Sequence, residues 1–320
     1  MTGKTCHNQP MPAVLVIVNP ASSRTDHTTA DNLVEIFQAY NYIPEVLIAD
    51  AEGDVRSWAK HACNEAFKAV AVVGGDGTIM EVVSGLLEAD VCLPIFILPA
   101  GTGNLLAHAL HIPEDPVKAL ETLVNGDLGT LDVGYIKNKK RYFMVAAGAG
   151  LDAETMQDTD TSDKEKLGRR AYVLATLRNL FKLEKHNITL RFEDDKSSPV
   201  QVKAHTVMVF NASKVDVGGI RLGPGVTPHN GLLEVAVLRG VSFWNAMVDM
   251  WHLLFHQLPK RDAPDRYSTK CIYIDAQPPL LTQADGDVLG YTPLDIELLP
   301  DAIEVFVPKD YLSVMQEGKE

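Results

Sequence analysis

Two sets of residues in this chain have types and spacing suited to chemistry. The first is Gly74-Gly75-Asp76-Gly77-Thr78, in which three glycines flank one carboxylate directly after an apolar run. Phosphate oxygens approach a backbone closely only where side chains are absent, and glycine also permits positive φ angles that aim successive N–H groups at one anion. The chemistry expected of such a loop is the holding of a nucleotide phosphate. It is neither of the common types. No lysine followed by Ser or Thr completes a Walker loop, and Met80 stands where the dinucleotide fingerprint has its third glycine. The second set is Asp285-Gly286-Asp287. In an extended segment residues i and i+2 project on one face, so both carboxylates would point into one cleft, with Gly286 leaving room for a substrate. Two acids so placed would supply a base and a metal partner. The competing reading is an acidic β-turn of the Ala-Asp-Gly-Asp type.

These residues need elements to hold them. Lys68 to Val73 reads as a strand buried on both faces, and Ile79, Val82, Val83 and Leu86 recur at helical spacing, so the glycine loop joins a strand to a helix N-terminus, where the macrodipole favours a phosphate. A second loop repeats the design: the strand Leu93–Leu98 is followed by Pro99-Ala100-Gly101-Thr102-Gly103-Asn104, in which Thr102 and Asn104 are expected to offer hydroxyl and amide partners to phosphate or ribose. A third exit, Asn19-Pro20-Ala21-Ser22-Ser23-Arg24, follows the strand Val14–Val18. Three strand exits on one sheet edge would form one anion site.

Residues 13 to about 128 alternate strands (14–18, 45–49, 69–73, 93–98) with helical patterns (28–40, 54–66, 78–88, 103–110, 115–124), which predicts a parallel α/β domain with helices on both faces. After Gly126 the pattern turns strand-like: Val133–Ile136, Tyr142–Ala147, Ile188–Phe192, Val200–Phe210, Leu232–Leu238, Cys271–Ala276, Leu294–Leu299 and Ile303–Val307 predict a β-sandwich. The expected division is residues 1–130, completed by about 301–320, and residues 131–300.

The order of motifs resembles the diacylglycerol kinase catalytic-domain family, whose relatives include bacterial lipid kinases, sphingosine kinases and, more distantly, NAD kinases. It consists of Asn19-Pro20, then Gly74 to Thr78 with Glu81, then Gly101 to Asn104, then Asp285-Gly286-Asp287. The resemblance runs from about Ala13 to Pro308. It implies a Rossmann-like first domain, an active site in the cleft between domains, ATP and Mg²⁺ as cofactors, and a diacylglycerol-like lipid as the alcohol that is phosphorylated. Carried over by residue, Asn19, Gly74, Gly75, Asp76, Gly77, Thr78, Glu81, Thr102 and Asn104 would bind nucleotide. Asp285 would be the general base, and Asp287 stands where a Glu is usual. A structural metal site of bacterial members falls on Thr227, Asn230 and Leu232, with Asn230 replacing the usual Asp, and a neutral amide binds Mg²⁺ more weakly than a carboxylate does. Further departures are Leu105 for an Asp, Met80 for an Asn and Ala49 for a Thr. They keep open a non-catalytic nucleotide- or lipid-binding regulator, while the acidic net charge and the lack of an obvious membrane anchor keep open a kinase of a soluble alcohol such as NAD.

Composition narrows the partners. The chain has 320 residues, 46% of them hydrophobic, and a formal charge of −13 from 29 basic and 42 acidic residues, which disfavours nucleic acid. Basic residues gather between Lys164 and Lys185, seven against two acidic ones, with Tyr172, Val173, Leu177, Leu180 and Phe181 at helical spacing. Such a helix suits an anionic lipid surface or covers the domain core. A second helix, with Phe243, Trp244, Met247, Trp251, Leu254 and Phe255 on one face, would pack on a sheet or line an acyl pocket. The apolar runs fall short of the ~18–20 residues that span a bilayer. With no signal-peptide order at the start and four scattered cysteines, the expectation is a cytoplasmic protein that meets membranes peripherally, with reduced thiols. A homodimer is left open.

Overall fold

The alternation of apolar and amphipathic segments in the first third becomes a layered α/β unit in the computed structural model. The structure describes residues 11–20, 22, 27–49, 52–62, 67–90, 93–150, 185–192, 198–212, 215–217, 220–222, 228–239, 265–309 and 311. The chain divides into two units, residues 1–130 with 303–320 and residues 131–302.

The first unit contains β1 (Ala13–Val18), α1 (His27–Ala39), β2 (Ile43–Ile48), α2 (Glu52–Ala62), β3 (Phe67–Gly74), α3 (Asp76–Glu88), β4 (Ile95–Pro99), α4 (Leu105–Ala109) and α5 (Pro116–Leu123). Its four complete strands are parallel in the order β2-β1-β3-β4, and Val305 of the last strand of the chain pairs in parallel with Ile95. Strands β1, β3 and β4 are buried almost throughout, as their unbroken apolar runs require. The rings of Phe37 and Phe306 flank Phe96, at 5.5 Å edge-on and 3.9 Å stacked. Phe37 and Phe96 are fully buried, which stabilises the unit by about 1.5–3 kcal/mol for each ring. Helices α2 and α3 approach so closely that a Cβ on Gly85 would lie 2.5 Å from the Arg56 carbonyl oxygen. Helix α5 is capped as its sequence suggests, with Pro116 in its first turn and Asp115 Oδ1 accepting from Lys118 N at 2.9 Å.

The second unit begins within β5 (Asp127–Ile136) and continues with β6 (Arg141–Phe143), β7 (Ala146–Ala149), β8 (His186–Phe192), β9 (Val200–Ala204), β10 (Thr206–Phe210), β11 (Val215–Val217), β12 (Ile220–Leu222), β13 (Leu233–Leu238), β14 (Asp265–Thr269), β15 (Cys271–Gln277), β16 (Leu281–Ala284), β17 (Asp287–Tyr291) and β18 (Leu294–Val307), whose last residues belong to the first unit. One layer runs β18-β15-β8-β9 and the other β14-β13-β10-β7-β16-β17. Ile188, Leu190, Ile272 and Ile274 from the first layer pack with Val207, Val209, Val235 and Val237 from the second in one core. This is a β-sandwich.

Three strand expectations need correction. Tyr142–Ala147 is two strands, β6 and β7, which join different sheets. Val200–Phe210 is not one strand: the chain leaves one sheet after Ala204 and enters the other at Thr206, and His205 N donates to Leu238 O at 2.9 Å. Leu294–Leu299 and Ile303–Val307 are one strand of 14 residues. The Pro300-Asp301 signal that suggested a break produces only a local left-handed kink, φ 47° at Asp301, and the strand resumes. The basic segment apart from Lys185, the aromatic helix pattern and Thr227 lie outside the described residues. Among the described residues no helix is long and apolar enough to cross a membrane.

Candidate active site

In the first unit the parallel strands end on one edge, so the exits of β1, β3 and β4 gather there. Asn19 N donates to Val73 O at 3.0 Å and Asn19 Nδ2 to Thr78 Oγ1 at 2.9 Å, tying the first exit to the glycine loop. Ala100 N donates to Gly74 O at 2.8 Å. The Asp76 carboxylate then accepts from Leu105 N at 3.0 Å and Leu106 N at 3.1 Å, one amide per oxygen, and thereby caps α4 from the neighbouring loop. The three exits are one hydrogen-bonded assembly.

The glycines serve it in a different way from the one expected. None of the glycines in either loop has a positive φ; among the described residues those that do are Gly150, Gly231, Gly286 and Gly290. Gly75 and Gly101 instead let two backbones touch, since a Cβ on Gly101 would lie 2.6 Å from Gly75 Cα. A Cβ on Gly74 would strike the Thr78 side chain at 2.6 Å. Of the five glycines in the two loops only Gly77 faces open space, with nothing within 4 Å of a Cβ built there. It lies in the first turn of α3, whose N-cap, Gly75, makes no side-chain cap hydrogen bond. The first N–H groups of a helix have no intrahelical partner, so this is the place in the loop where an anion would find donors.

Two of the candidate nucleotide contacts have side chains engaged within the fold. Asn104 is 0% exposed, and its amide is spent on its own loop: Oδ1 accepts from Gly101 N at 3.0 Å and Nδ2 donates to Gly101 O at 2.9 Å. Its backbone is left-handed, φ 50°, which asparagine tolerates, so its side chain shapes the turn. Glu81 sits beyond the first turn of α3 and pairs with Arg56 of α2 at 3.6 Å. Arg56 also holds Glu88 and is raised above its ordinary value by the Glu88 hydrogen bond, while the same bond holds Glu88 below its usual carboxylate value. Thr102 lies exposed between the two loop glycines.

In the second unit the acidic segment is a tight turn between β16 and β17, so the extended geometry expected for it is corrected too. Asp285 at φ 47° and Gly286 at φ 96° are consecutive left-handed residues, as a two-residue hairpin with the strands' own twist requires. Gly286 N donates to Gln283 Oε1 at 3.0 Å. The two carboxylates consequently have separate surroundings. Asp285 Oδ2 accepts from Met144 N at 2.7 Å, and its Oδ1 accepts from Val145 N at 3.0 Å and Ala146 N at 2.9 Å. Asp287, 62% exposed, is ion-paired with Arg141. Of the expected metal ligands, Asn230 Oδ1 accepts from Leu232 N at 3.1 Å in a turn of its own. Among the described residues no group of three or more His, Cys, Asp or Glu could hold a metal ion.

Sequence reasoning missed Arg141, Gln283, Asp132 and Asn211. Asp132 is 2% exposed and its carboxylate accepts from Gly231 N at 2.8 Å and Asp301 N at 3.0 Å. Its one available signal was a carboxylate inside the apolar run of β5.

With that geometry in hand, similarity to known proteins is informative. Residues 13–136 match the diacylglycerol kinase catalytic domain, and residues 144–307 match the YegS C-terminal NAD kinase beta sandwich-like domain. The chain belongs to the diacylglycerol kinase catalytic-domain family, and its class is that of the lipid kinases. It is 26% identical over 279 residues to a protein of Staphylococcus aureus (strain JH9) named "Putative lipid kinase", covering 83% of this chain and 87% of that one. A crystal structure described as that of a "putative diacylglycerol kinase" from Bacillus anthracis str. Sterne has the same fold, with a TM-score of 0.80 and 24% identity over 93% of this chain and 98% of the other. A second structure, of a diacylglycerol kinase from the same organism, matches with a TM-score of 0.77 and 24% identity, covering 93% and 97%.

Proposed function

We propose that this protein transfers the γ-phosphoryl group of ATP to a hydroxyl of diacylglycerol or a related lipid, working peripherally at a membrane surface. The observation that carries the reading is the start of α3: a helix N-terminus without a side-chain cap, opened by Gly77, in a loop braced by Asn19 and by Asp76. That donor set fits a phosphate, and Asp76 keeps a further lone pair on each oxygen with which to meet a cation. When bound, ATP with Mg²⁺ supplies the phosphoryl group and offsets the charge on its oxygens.

The chain's own residues do the rest. The amides of Gly77 and Thr78 hold phosphate oxygens, and the Thr78 hydroxyl, already accepting from Asn19, has its proton to donate. Asp285 orients the lipid hydroxyl and takes its proton on the carboxylate that the Met144, Val145 and Ala146 amides hold. Phosphoryl transfer through a loose transition state asks little of a base beyond placement, so a carboxylate fixed by three amides suits the task.

The test is transfer of label from γ-labelled ATP to a total lipid extract, with NAD as a soluble alcohol beside it. Labelled lipid is expected, and Asp285→Asn should lower the rate about 10²–10⁴-fold, the usual contribution of a positioned base. Label on NAD alone, or ATP binding with no labelled lipid, would refute the reading.

A further inference from the structure

One buried side chain of the second unit plays no part in the chemistry above yet holds the very peptides that grip Asp285. Asn211 follows β10 and is 1% exposed. Its Nδ2 donates twice, to Met144 O at 3.0 Å and to Asp132 O at 2.8 Å. Its backbone N donates to Val145 O at 2.9 Å, joined by Ala212 N at 3.2 Å. A peptide unit is planar, so the direction of a C=O fixes the direction of the N–H that follows it. The Met144 carbonyl shares a plane with Val145 N–H, and the Val145 carbonyl shares one with Ala146 N–H. Both of those N–H groups donate to Asp285 Oδ1. Asn211 therefore sets the tilt of two peptide planes, one through its side chain and one through its backbone.

A second observation separates this role from simple space filling. Asn211 Oδ1 is buried with no hydrogen-bond partner among the described residues. A buried open acceptor is unfavourable, and an apolar side chain would avoid it. What an apolar residue lacks is the pair of N–H donors. Asp132 supplies the far anchor: its carbonyl takes the second of them, while its buried carboxylate is itself fixed by two amides.

We infer that Asn211 is a positioning residue for Asp285, holding the Met144–Ala146 peptides so that the carboxylate stays fixed toward the alcohol. This rests on the reading of Asp285 as the group that meets the hydroxyl. The test is a double-mutant cycle of Asn211→Ala with Asp285→Asn, scored by lipid phosphorylation, with amide-resolved hydrogen exchange on the same proteins. Asn211→Ala should lower kcat about 10- to 100-fold, since small misplacements of reacting groups have effects of that size, with KM for ATP within about twofold. In the Asp285→Asn background it should lower kcat no further. The amides of Val145 and Ala146 should exchange about tenfold faster or more, while those of β8 and β15 keep their protection. Asn211→Ser, which keeps a donor for one carbonyl, should fall between and provides the readout should the alanine variant not fold.

An additive loss of kcat in the double variant, or unchanged exchange at Val145 and Ala146, would overturn the inference. If Asp285→Asn retains full transfer, the base assignment fails. Exchange at those two amides still decides whether Asn211 holds the carboxylate's cradle.

Discussion

Adding one methyl group at Gly77, and separately at Gly101, tests which glycines serve a ligand and which serve the fold. At Gly77 a Cβ meets nothing within 4 Å, and the backbone is not left-handed, so alanine fits without strain. Alanine in a helix is favoured over glycine by about 0.5–1 kcal/mol. Taken at about 2–4 °C per kcal/mol for a unit of this size, Tm should rise by about 1–4 °C. On the proposed reading, the same methyl would crowd the amides at the start of α3 that meet phosphate. Losing one hydrogen bond to a charged group removes about 1.5–3 kcal/mol, which weakens ATP binding by roughly ten- to a hundredfold. At Gly101 the balance reverses, because the new Cβ lies 2.6 Å from Gly75 Cα and 3.0 Å from Asn104 Oδ1. Backbone must move, and overpacking of this kind costs about 1–3 kcal/mol. Differential scanning calorimetry and titration calorimetry with ATP on both variants give the four numbers. A Gly77→Ala protein that binds ATP like the wild type, or a Gly101→Ala protein of unchanged Tm, would refute the division.

Asp76→Ala removes the acceptor for two amides of α4 and should destabilise the chain by about 2–3 kcal/mol in urea unfolding, given the strength of hydrogen bonds to a carboxylate; a loss below about 0.5 kcal/mol would contradict the bracing role. Tyr311 yields a pH signature. Burial pushes its phenol well above the usual 10.0, so the folded state favours the neutral form. Stability from this group is complete below the unfolded value and declines as pH rises past it toward the folded one. The wild type should therefore lose more stability than Tyr311→Phe between about pH 9 and 11.5, measured as urea midpoints, and parallel curves would count against the assignment.

How much of this was legible in the sequence depends on the reach of each interaction. Strands β1, β3 and β4 announce themselves because burial on both faces demands an unbroken apolar run, and the glycine exits after them are equally local. The sheet switch at His205 is not legible: Ala204-His205-Thr206 has no turn residue, and the break is decided by which sheet each half pairs with. The single strand through Pro300 and Asp301 misleads in the opposite sense, since a turn dipeptide there bends a strand without ending it. Asp285-Gly286 was readable as a hairpin signal, but the occupation of Asp285 by three amides was not, because the donors lie 139 to 141 residues away. Asp132 and Asn211 share that difficulty, with partners likewise distant in the sequence. A polar side chain spent on a carbonyl or amide inside the fold has the same letter as one offered to a ligand.

The bracing of the two glycine loops also bears on the departures from the family pattern. Read along the chain, the Gly74–Thr78 and Gly101–Asn104 motifs are separate, and replacement of an acidic residue by Leu105 looks like damage to the second. In the fold Asp76 reaches the backbone N–H of Leu105, not its side chain, so the tie between the loops is indifferent to which residue stands there. Met80 and Ala49 are buried, as apolar residues in those places should be. The substitution at Leu105 thus leaves the scaffold's tie intact, and any effect it has must fall on what the loops bind. A Leu105→Asp variant should therefore unfold like the wild type, while its nucleotide or metal affinity changes. Loss of stability in that variant, with binding unaltered, would show that the side chain belongs to the brace after all.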